Sequence, residues 1–321
     1  MNYEMVGKLP VKNKEQKKCI ELRSNAKINL SIDVLRKLPD GYHEVRMVMQ
    51  LLDLYDKVGI GIFPERDKAV KISANLPYIP RDERNLAYRA VLLMIEKFPE
   101  HKEEHIQVAL KKNIPVAAGL AGGSGNAAAV ILGLNKLWNL NMTLKDMIEI
   151  GKPLGADVPF MLTGQAVTNV CLGLGDDPMA STCCEAVGKG DEIKPLPRFC
   201  SYVVLSKPSI SVSTPKVYQA LKLDEITEHP DMDKLIEGVS EANHFKIKKN
   251  MINVLENVTL KEYPLVKYTK DKMQEACPKS KVLMSGSGPT IYGLYANRTK
   301  AERVFEIMKK TNKETYFTKT L

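Results

Sequence analysis

Residues 115–129 read PVAAGLAGGSGNAAA, a glycine-dense run that ends in alanines and passes directly into the apolar stretch VILGLNKLW. Glycine lets backbone N–H groups turn toward an anion at close range. The alanines predict a helix over 127–138, whose free N-terminal donors and positive dipole end face back toward the loop. Together these features predict a cradle for a polyanion such as the phosphates of a nucleotide. Two better-known phosphate loops fit less well. A P-loop needs Gly-Lys-Ser/Thr at its close, whereas Gly125 is followed by Asn126 and Ala127. Gly123, Gly125 and Ala128 do satisfy G-x-G-x-x-A, but such a fingerprint follows its strand almost at once. Here the alternating strand Ile106, Val108, Leu110 is separated from Gly123 by a segment containing Pro115. A ligand-free surface loop is the plain alternative, and four glycines and a serine directly before a strongly apolar helix weigh against it.

The chain has 321 residues, which suits two domains better than one core. Hydrophobic residues make up 44% and charged residues 26%, the composition of an ordinary globular protein. No apolar run reaches the length of a membrane span and the first residues show no signal-peptide core, so a cytoplasmic location with no membrane partner is expected. Six cysteines are scattered without CxxC spacing, which indicates neither a zinc site nor a disulfide framework. Lys and Arg outnumber Asp and Glu by 47 to 38, a net charge of +9 that favours anionic partners. The lysines fall in separate short groups without interleaved aromatics, so no stacking platform for nucleic acid is visible and no nucleic-acid partner is expected.

Outward from the loop, residues 1–18 read as a polar, Lys-rich tail. Alternation in Ile28, Leu30, Ile32 and Val34 predicts a strand, Pro39, Asp40 and Gly41 a turn, and Val45–Leu54 a returning strand. Further strands are predicted near Val58–Phe63 and Val70–Ile72, and a helix over Arg84–Phe98 with Leu86, Ala90, Leu93 and Met94 on its buried stripe. Thr143 and Asp146 predict a capping box for a helix through Ile150 that Gly151 and Pro153 close. Beyond Leu196 the reading is a strand at YVVLSKP and a helix at TPKVYQAL. Two strand pieces follow, joined at Ser285–Pro289, then a helix capped by Thr299 and Glu302, and a last strand at TYFTKTL. That series predicts a second α+β domain of ferredoxin-like layout.

Phosphoryl transfer to an alcohol needs a held phosphate, positive charge near the reacting oxygens and a group to accept the hydroxyl proton. The glycine loop, Lys27 at the head of a strand in AKINL, and Asp157 among Val158, Pro159 and Phe160 in LGADVPF could each meet one of these needs. Alone, Lys27 reads equally as a solvated strand-end lysine and Asp157 as a turn or N-cap aspartate. Their co-occurrence with the loop shifts the balance toward chemistry.

At these residues the chain resembles the superfamily of galactokinase, homoserine kinase, mevalonate kinase and phosphomevalonate kinase. PVAAGLAGGS and the late turn MSGSGP carry that resemblance. AKINL, DGYHEVRMVMQLLDLYD, GLNKLW, LGADVPF, STPKVY and NVLE, in that order, narrow it to the family that phosphorylates 4-diphosphocytidyl-2-C-methyl-D-erythritol in the non-mevalonate isoprenoid route. The likeness spans nearly all of Leu22–Leu321.

The resemblance implies an α+β, two-domain GHMP-kinase fold: a ribosomal-protein-like N-terminal nucleotide domain over 19–166 and a ferredoxin-like C-terminal domain over 185–321. It implies that Asp157 takes the proton of the substrate's tertiary 2-hydroxyl while Lys27 stabilises the charge that develops, with ATP as direct donor and Mg²⁺ present. Pro115, Val116, Ala117, Ala118, Gly119, Leu120, Ala121, Gly122, Gly123, Ser124 and Gly125 would wrap the ATP phosphates, with Ser124 as a Mg²⁺ contact. Tyr42 and His43 match the positions that hold the cytidine end of this small-molecule substrate, by stacking and by hydrogen bonding to the base. Read without the family they are turn-flanking surface residues. Asn29 matches another substrate position, as does Thr214 in the STP segment.

Several residues depart from the family pattern. GLAGGSG stands where GLGGGSS is usual, so Ala121 adds a methyl, expected to be tolerated at negative φ, and Gly125 removes a hydroxyl, expected to weaken a phosphate or metal contact. Asn25 stands where proline is common. Val167–Cys184 has no counterpart and reads as a solvent-exposed insertion. It also makes two G-x-G-acid elements, GLGD and GKGD, of which the second aligns with the family. Rival readings are another kinase of the superfamily, against which DGYH speaks, and a catalytically silent nucleotide-binding homologue, against which retention of both Lys27 and Asp157 speaks.

Overall fold

A computed structural model describes residues 18–63 and 70–321. All but the last residue of the expected tail lies outside them. The chain forms two compact units that interleave along the sequence, where contiguous blocks were expected. The first holds the described residues up to Ala26, Tyr55–Ile114 and Ala121–Ala180; the second holds Lys27–Leu54, Pro115–Leu120 and Ser181–Leu321. Two long strands, β1 (Lys18–Lys37) and β2 (His43–Phe63), pair with each other and contribute to both units. The sequence predicted two strands where β2 runs unbroken, because the residues between Leu54 and Val58 contain no glycine or proline to turn the chain.

In the first unit, the last third of β2 pairs antiparallel with β4 (His105–Lys111), from Lys57↔Lys111 to Phe63↔His105. Strand β3 (Val70–Ala74) lies parallel to β4 and reaches it through α1 (Leu86–Lys97), whose buried stripe is Ala87, Ala90, Val91 and Met94. Leu86 and Leu93, expected on that stripe, are only half-buried. Helix α2 (Gly122–Trp138) is apolar almost all round and buried from Gly125 to Leu134, which makes it the unit's central helix. It starts five residues before the predicted Ala127, because Gly122–Gly125 adopt helical backbone and the Gly125 N–H already donates to Ala121 O at 2.8 Å. Helix α3 (Leu144–Gly151) carries the expected Thr143/Asp146 capping box, and α4 (Val158–Thr168) starts directly after Asp157.

In the second unit, β5 (Cys183–Val187) pairs antiparallel with β2 from Met47↔Ala186 to Gln50↔Cys183, and β6 (Glu192–Leu196) pairs with β5. GKGD is the turn between β5 and β6. A second sheet has the order β10 (Glu314–Lys319), β7 (Tyr202–Lys207), β9 (Ile291–Tyr295), β8 (Lys281–Met284), all antiparallel. By position along the chain that order is fourth, first, third, second, the arrangement of a ferredoxin-like layer. Helices α5 (Thr214–Ala220), α6 (Met232–Ser240), α7 (His244–Asn250), α8 (Glu256–Glu262) and α9 (Pro264–Ala276) come between β7 and β8, and α10 (Arg298–Thr311) between β9 and β10. Asn297 caps α10 by accepting from Lys300 N, in place of the predicted Thr299.

Val167–Cys184 is not one exposed loop. Val167 and Thr168 close α4, Cys183 and Cys184 open β5, and between them Asn169 and Leu172 are buried while Val170 is 86% exposed. None of the six cysteines, all of them among the described residues, is in a disulfide. No helix of the described residues is long and apolar enough to cross a membrane.

Candidate active site

Lys27 lies in the interior of β1, only 3% exposed, which removes the solvated strand-end reading. A buried ammonium is costly unless hydrogen-bonded, and Lys27 Nζ donates to Asn29 Oδ1 at 2.7 Å. The i, i+2 spacing puts both side chains on one face of the strand. Asn29 is 1% exposed; its side-chain amide donates to Met47 Sδ at 3.2 Å and its main-chain carbonyl accepts from the Tyr292 hydroxyl at 2.6 Å. Lys27 N–H donates to Leu120 O at 3.1 Å, which ties the first half of the glycine loop to the lysine's own backbone.

That half of the loop rests on the Ser285–Pro289 turn. Gly119 has φ +72°, and a Cβ there would fall 2.3 Å from Ser285 O, so only glycine fits. Ser285 Oγ donates to Gly119 O at 3.0 Å. The turn is held from below by Asn253 Nδ2, which donates to both Met284 O and Gly286 O at 2.8 Å, and by Thr259 Oγ1, which donates to Ser287 O at 3.1 Å. Thr214, exposed at the start of α5, shares a 2.7 Å hydrogen bond with Ser287 Oγ. In the sequence Ser285 and Ser287 stand in the MSGSGP turn between strands that carries the superfamily resemblance, with no role of their own.

Tyr42 is 63% exposed, with Lys189 Nζ 4.9 Å from its ring centre and Lys189 paired to Asp40. The GKGD turn therefore covers one face of Tyr42. His43 opens β2, and its ring centre lies 5.3 Å from that of Tyr218 on α5. Burial, reinforced by Lys37, holds the His43 imidazole below its ordinary pKa, so at neutral pH one ring nitrogen donates and the other accepts. Sequence reasoning missed Lys189 and Tyr218. The signal for Tyr218 was an aromatic four residues after Thr214 on a short helix, and it points nowhere until the fold brings it to His43.

The first unit holds the rest of the loop. Ala121 sits at φ +55°, ψ +26°, left-handed rather than at the expected negative φ, because the chain must reverse into the first turn of α2. The N–H groups of Gly122, Gly123 and Ser124 are helix-terminal donors of the kind that bind anions. Beneath them is a buried polar cluster. Asp56, fully buried, accepts from Asn113 N at 2.7 Å and Ile114 N at 2.9 Å and pairs with Lys112. Lys112 Nζ donates to Asn126 Oδ1 at 2.8 Å, and Asn126 Nδ2 donates to Ser24 Oγ at 3.0 Å and Asp56 Oδ2 at 3.1 Å. The entry into the loop and the start of α2 are thus pinned to one carboxylate. Asp157 lies in a turn at the cap position of α4 without using its side chain as a cap, so the turn reading describes its backbone and the N-cap reading does not describe its side chain.

Two family models match the chain, GHMP kinases N terminal domain over residues 85–165 and GHMP kinases C terminal over 227–314. A 4-diphosphocytidyl-2-C-methyl-D-erythritol kinase of Geobacillus sp. (strain WCH70) is 44% identical over 286 residues, 88% of this chain and 91% of its own. The chain belongs to the GHMP kinases, in the 4-diphosphocytidyl-2-C-methyl-D-erythritol kinase family. The relative of that name from Bacillus subtilis (strain 168) is 42% identical over 285 residues, 88% of this chain and 90% of its own. A crystal structure of 4-(cytidine 5'-diphospho)-2C-methyl-D-erythritol kinase superposes with a TM-score of 0.73 at 28% identity, covering 94% of this chain and 99% of that one. Family membership bears out the two-domain α+β expectation and makes the chain a small-molecule kinase with ATP as phosphoryl donor.

Proposed function

We propose that this chain transfers the γ-phosphoryl group of ATP to the 2-hydroxyl of 4-diphosphocytidyl-2-C-methyl-D-erythritol, within the cytoplasm and without nucleic-acid or membrane partners. The observation that carries the reading is the buried Lys27 ammonium, held by Asn29 and joined through its own N–H to the glycine loop. In this reading Asp157 accepts the hydroxyl proton as the oxygen attacks the γ-phosphorus, and Lys27 offsets the negative charge that grows on the attacking and transferring oxygens. The loop from Pro115 to Gly125 takes the phosphates, with the N–H groups at the start of α2 supplying most of its donors. Tyr42 and His43, with Tyr218 beside His43, take the cytosine, and Asn29 and Thr214 take the sugar-alcohol and diphosphate side.

Mg²⁺ usually keeps several waters and takes one or two protein oxygens plus phosphate oxygens. The Ser124 hydroxyl at the start of α2 is a donor of that type, so the residue fits the ion, with phosphate oxygens and waters as the remaining ligands. When bound, it would neutralise the β- and γ-phosphates.

The test is ADP release coupled to the cytidine-linked alcohol, with ATP and Mg²⁺, for the parent chain and for Asp157→Asn. Parent turnover that falls by about 10²–10⁴-fold in the variant is expected. No turnover by the parent, or equal turnover by both, overturns the reading.

A further inference from the structure

Three departures from the family pattern, Asn25, Gly125 and the extra segment from Val167, are far apart in sequence and meet at one place in the first unit. Asn169, 6% exposed, turns its side-chain amide on the backbone of Arg23. Arg23 N donates to Asn169 Oδ1 at 2.8 Å, and Asn169 Nδ2 donates to Arg23 O at 3.0 Å. One amide thus satisfies both main-chain groups of a strand residue, as a neighbouring strand would. One residue earlier, Thr168 Oγ1 donates to Asn25 Oδ1 at 2.9 Å, and Asn25 is 1% exposed. A proline at 25 could not offer that acceptor. Gly125 lies against the same stretch, with its missing Cβ pointing at Ser24 Oγ and Asn25 O, and Gln165 Nε2 donates to Gly125 O at 2.9 Å.

Asn169 is also the C-terminal cap of α4: its N–H donates to Gln165 O at 3.0 Å and its Nδ2 to the same carbonyl at 2.9 Å. Helix α4 begins immediately after Asp157. An eleven-residue helix is a stiff rod of roughly 16 Å, so a clamp at its far end limits how the end carrying Asp157 can tilt. The same clamp grips β1 at Arg23 and Asn25, four and two residues before Lys27.

We propose that Thr168 and Asn169 are positioning residues for phosphoryl transfer: they join the helix that starts at Asp157 to the strand that carries Lys27. The extra segment is then part of the catalytic framework rather than an appendage. The proposal rests on the kinase reading above. Neither residue touches the reacting atoms. Their effect is on alignment, where a displacement near 1 Å costs about 10²-fold in rate.

The experiment uses Asn169→Ala in the full chain, with Asn169→Asp as a partial loss: Asp still accepts from Arg23 N–H but cannot donate to Arg23 O. With circular dichroism unchanged, Asn169→Ala is expected to lower kcat about 30–100-fold while KM for ATP and for the alcohol stays within about two-fold, and Asn169→Asp falls between it and the parent. A merely structural residue would lower the melting temperature and leave kcat in place. Amide hydrogen exchange across 23–27 is expected to quicken at least about ten-fold in Asn169→Ala. A folded variant with parental kcat, or with parental exchange in that stretch, overturns the proposal. Should Asn169→Ala not fold, Thr168→Val, which removes the 2.9 Å bond to Asn25 and two longer contacts of 3.5 Å to Gln165 O and Asn169 Nδ2, is expected to show the same pattern at smaller amplitude, and parental kcat there overturns it. If the parent itself fails to turn over, the kinase reading has failed, and the exchange measurement still decides whether the clamp exists.

Discussion

The hydroxyl of Ser24 lies 2.6 Å from the point that a Cβ on Gly125 would occupy. A side chain at 125 therefore aims into the packed interior of the first unit, toward Ser24, Met161 and the Asn25 carbonyl, and not toward a phosphate or metal at the start of α2. The expected weakening of a ligand contact by loss of the Ser at 125 is thereby corrected.

Gly125→Ser, which brings back the hydroxyl usual in the family, is expected to destabilise this chain by about 1–3 kcal/mol through overpacking. Urea melts measure it. Combining it with Ser24→Gly should recover part of the loss, since the two positions share one volume; additive losses would show that they do not.

Ala121 holds φ +55°, a region that costs a residue with a Cβ about 1–2 kcal/mol. Ala121→Gly should stabilise the fold by about 0.5–1 kcal/mol, the relief being partly offset by the greater freedom of glycine in the unfolded chain. Ala121→Val should destabilise it, because a β-branched side chain tolerates positive φ worst. A rise in stability for Val, read from the same melts, contradicts the left-handed assignment.

His43 should titrate below 6.5, since burial and Lys37 disfavour its charged form. A histidine with a depressed folded pKa contributes its stability fully above the unfolded pKa and loses it as pH falls through the folded value. Both stability and binding of the cytidine substrate are thus expected to weaken as pH drops below 6.5. The His43 ring resonance followed by NMR against pH gives the midpoint directly; a midpoint above 6.5 contradicts the account.

Asp56→Ala removes the one carboxylate that receives Lys112, Asn126 and two backbone N–H groups, and leaves an ammonium buried without it. The expected loss is about 3–5 kcal/mol, together with weaker ATP binding as the loop entry loosens. Thermal melts and nucleotide titration check the two parts. Stability within 1 kcal/mol of the parent would mean that the cluster is not what pins the loop.

Much of the fold was legible before any coordinates. Alternation at Ile28–Val34 marks β1, the strand patterns at Val45–Leu54 and Val58–Phe63 mark two pieces of β2, the Thr143/Asp146 pair marks the start of α3, and the strand and helix series after Leu196 marks the ferredoxin-like sheet, because local patterns and caps are properties of neighbouring residues. Sequence alone starts α2 at Ala127 and not at Gly122, since glycines in a helical first turn look the same in sequence as glycines in a loop. Asn297 and Thr299, two residues apart, are both good caps for α10, and only the geometry chooses Asn297. Lys27, the loop and Asp157 are recognisable in the sequence as a set, but nothing local distinguishes a lysine at 3% exposure from one in water.

The order of motifs determined by itself the family, the element types and the residues to suspect. Tertiary structure alone decided that Ala121 is left-handed, that Gly125 faces Ser24, that Tyr218 meets His43, and that Asn169 grips Arg23. The last three depend on where a residue remote in sequence comes to lie, and close packing admits only one answer once those distant atoms are in place; the first depends on how the loop turns into α2.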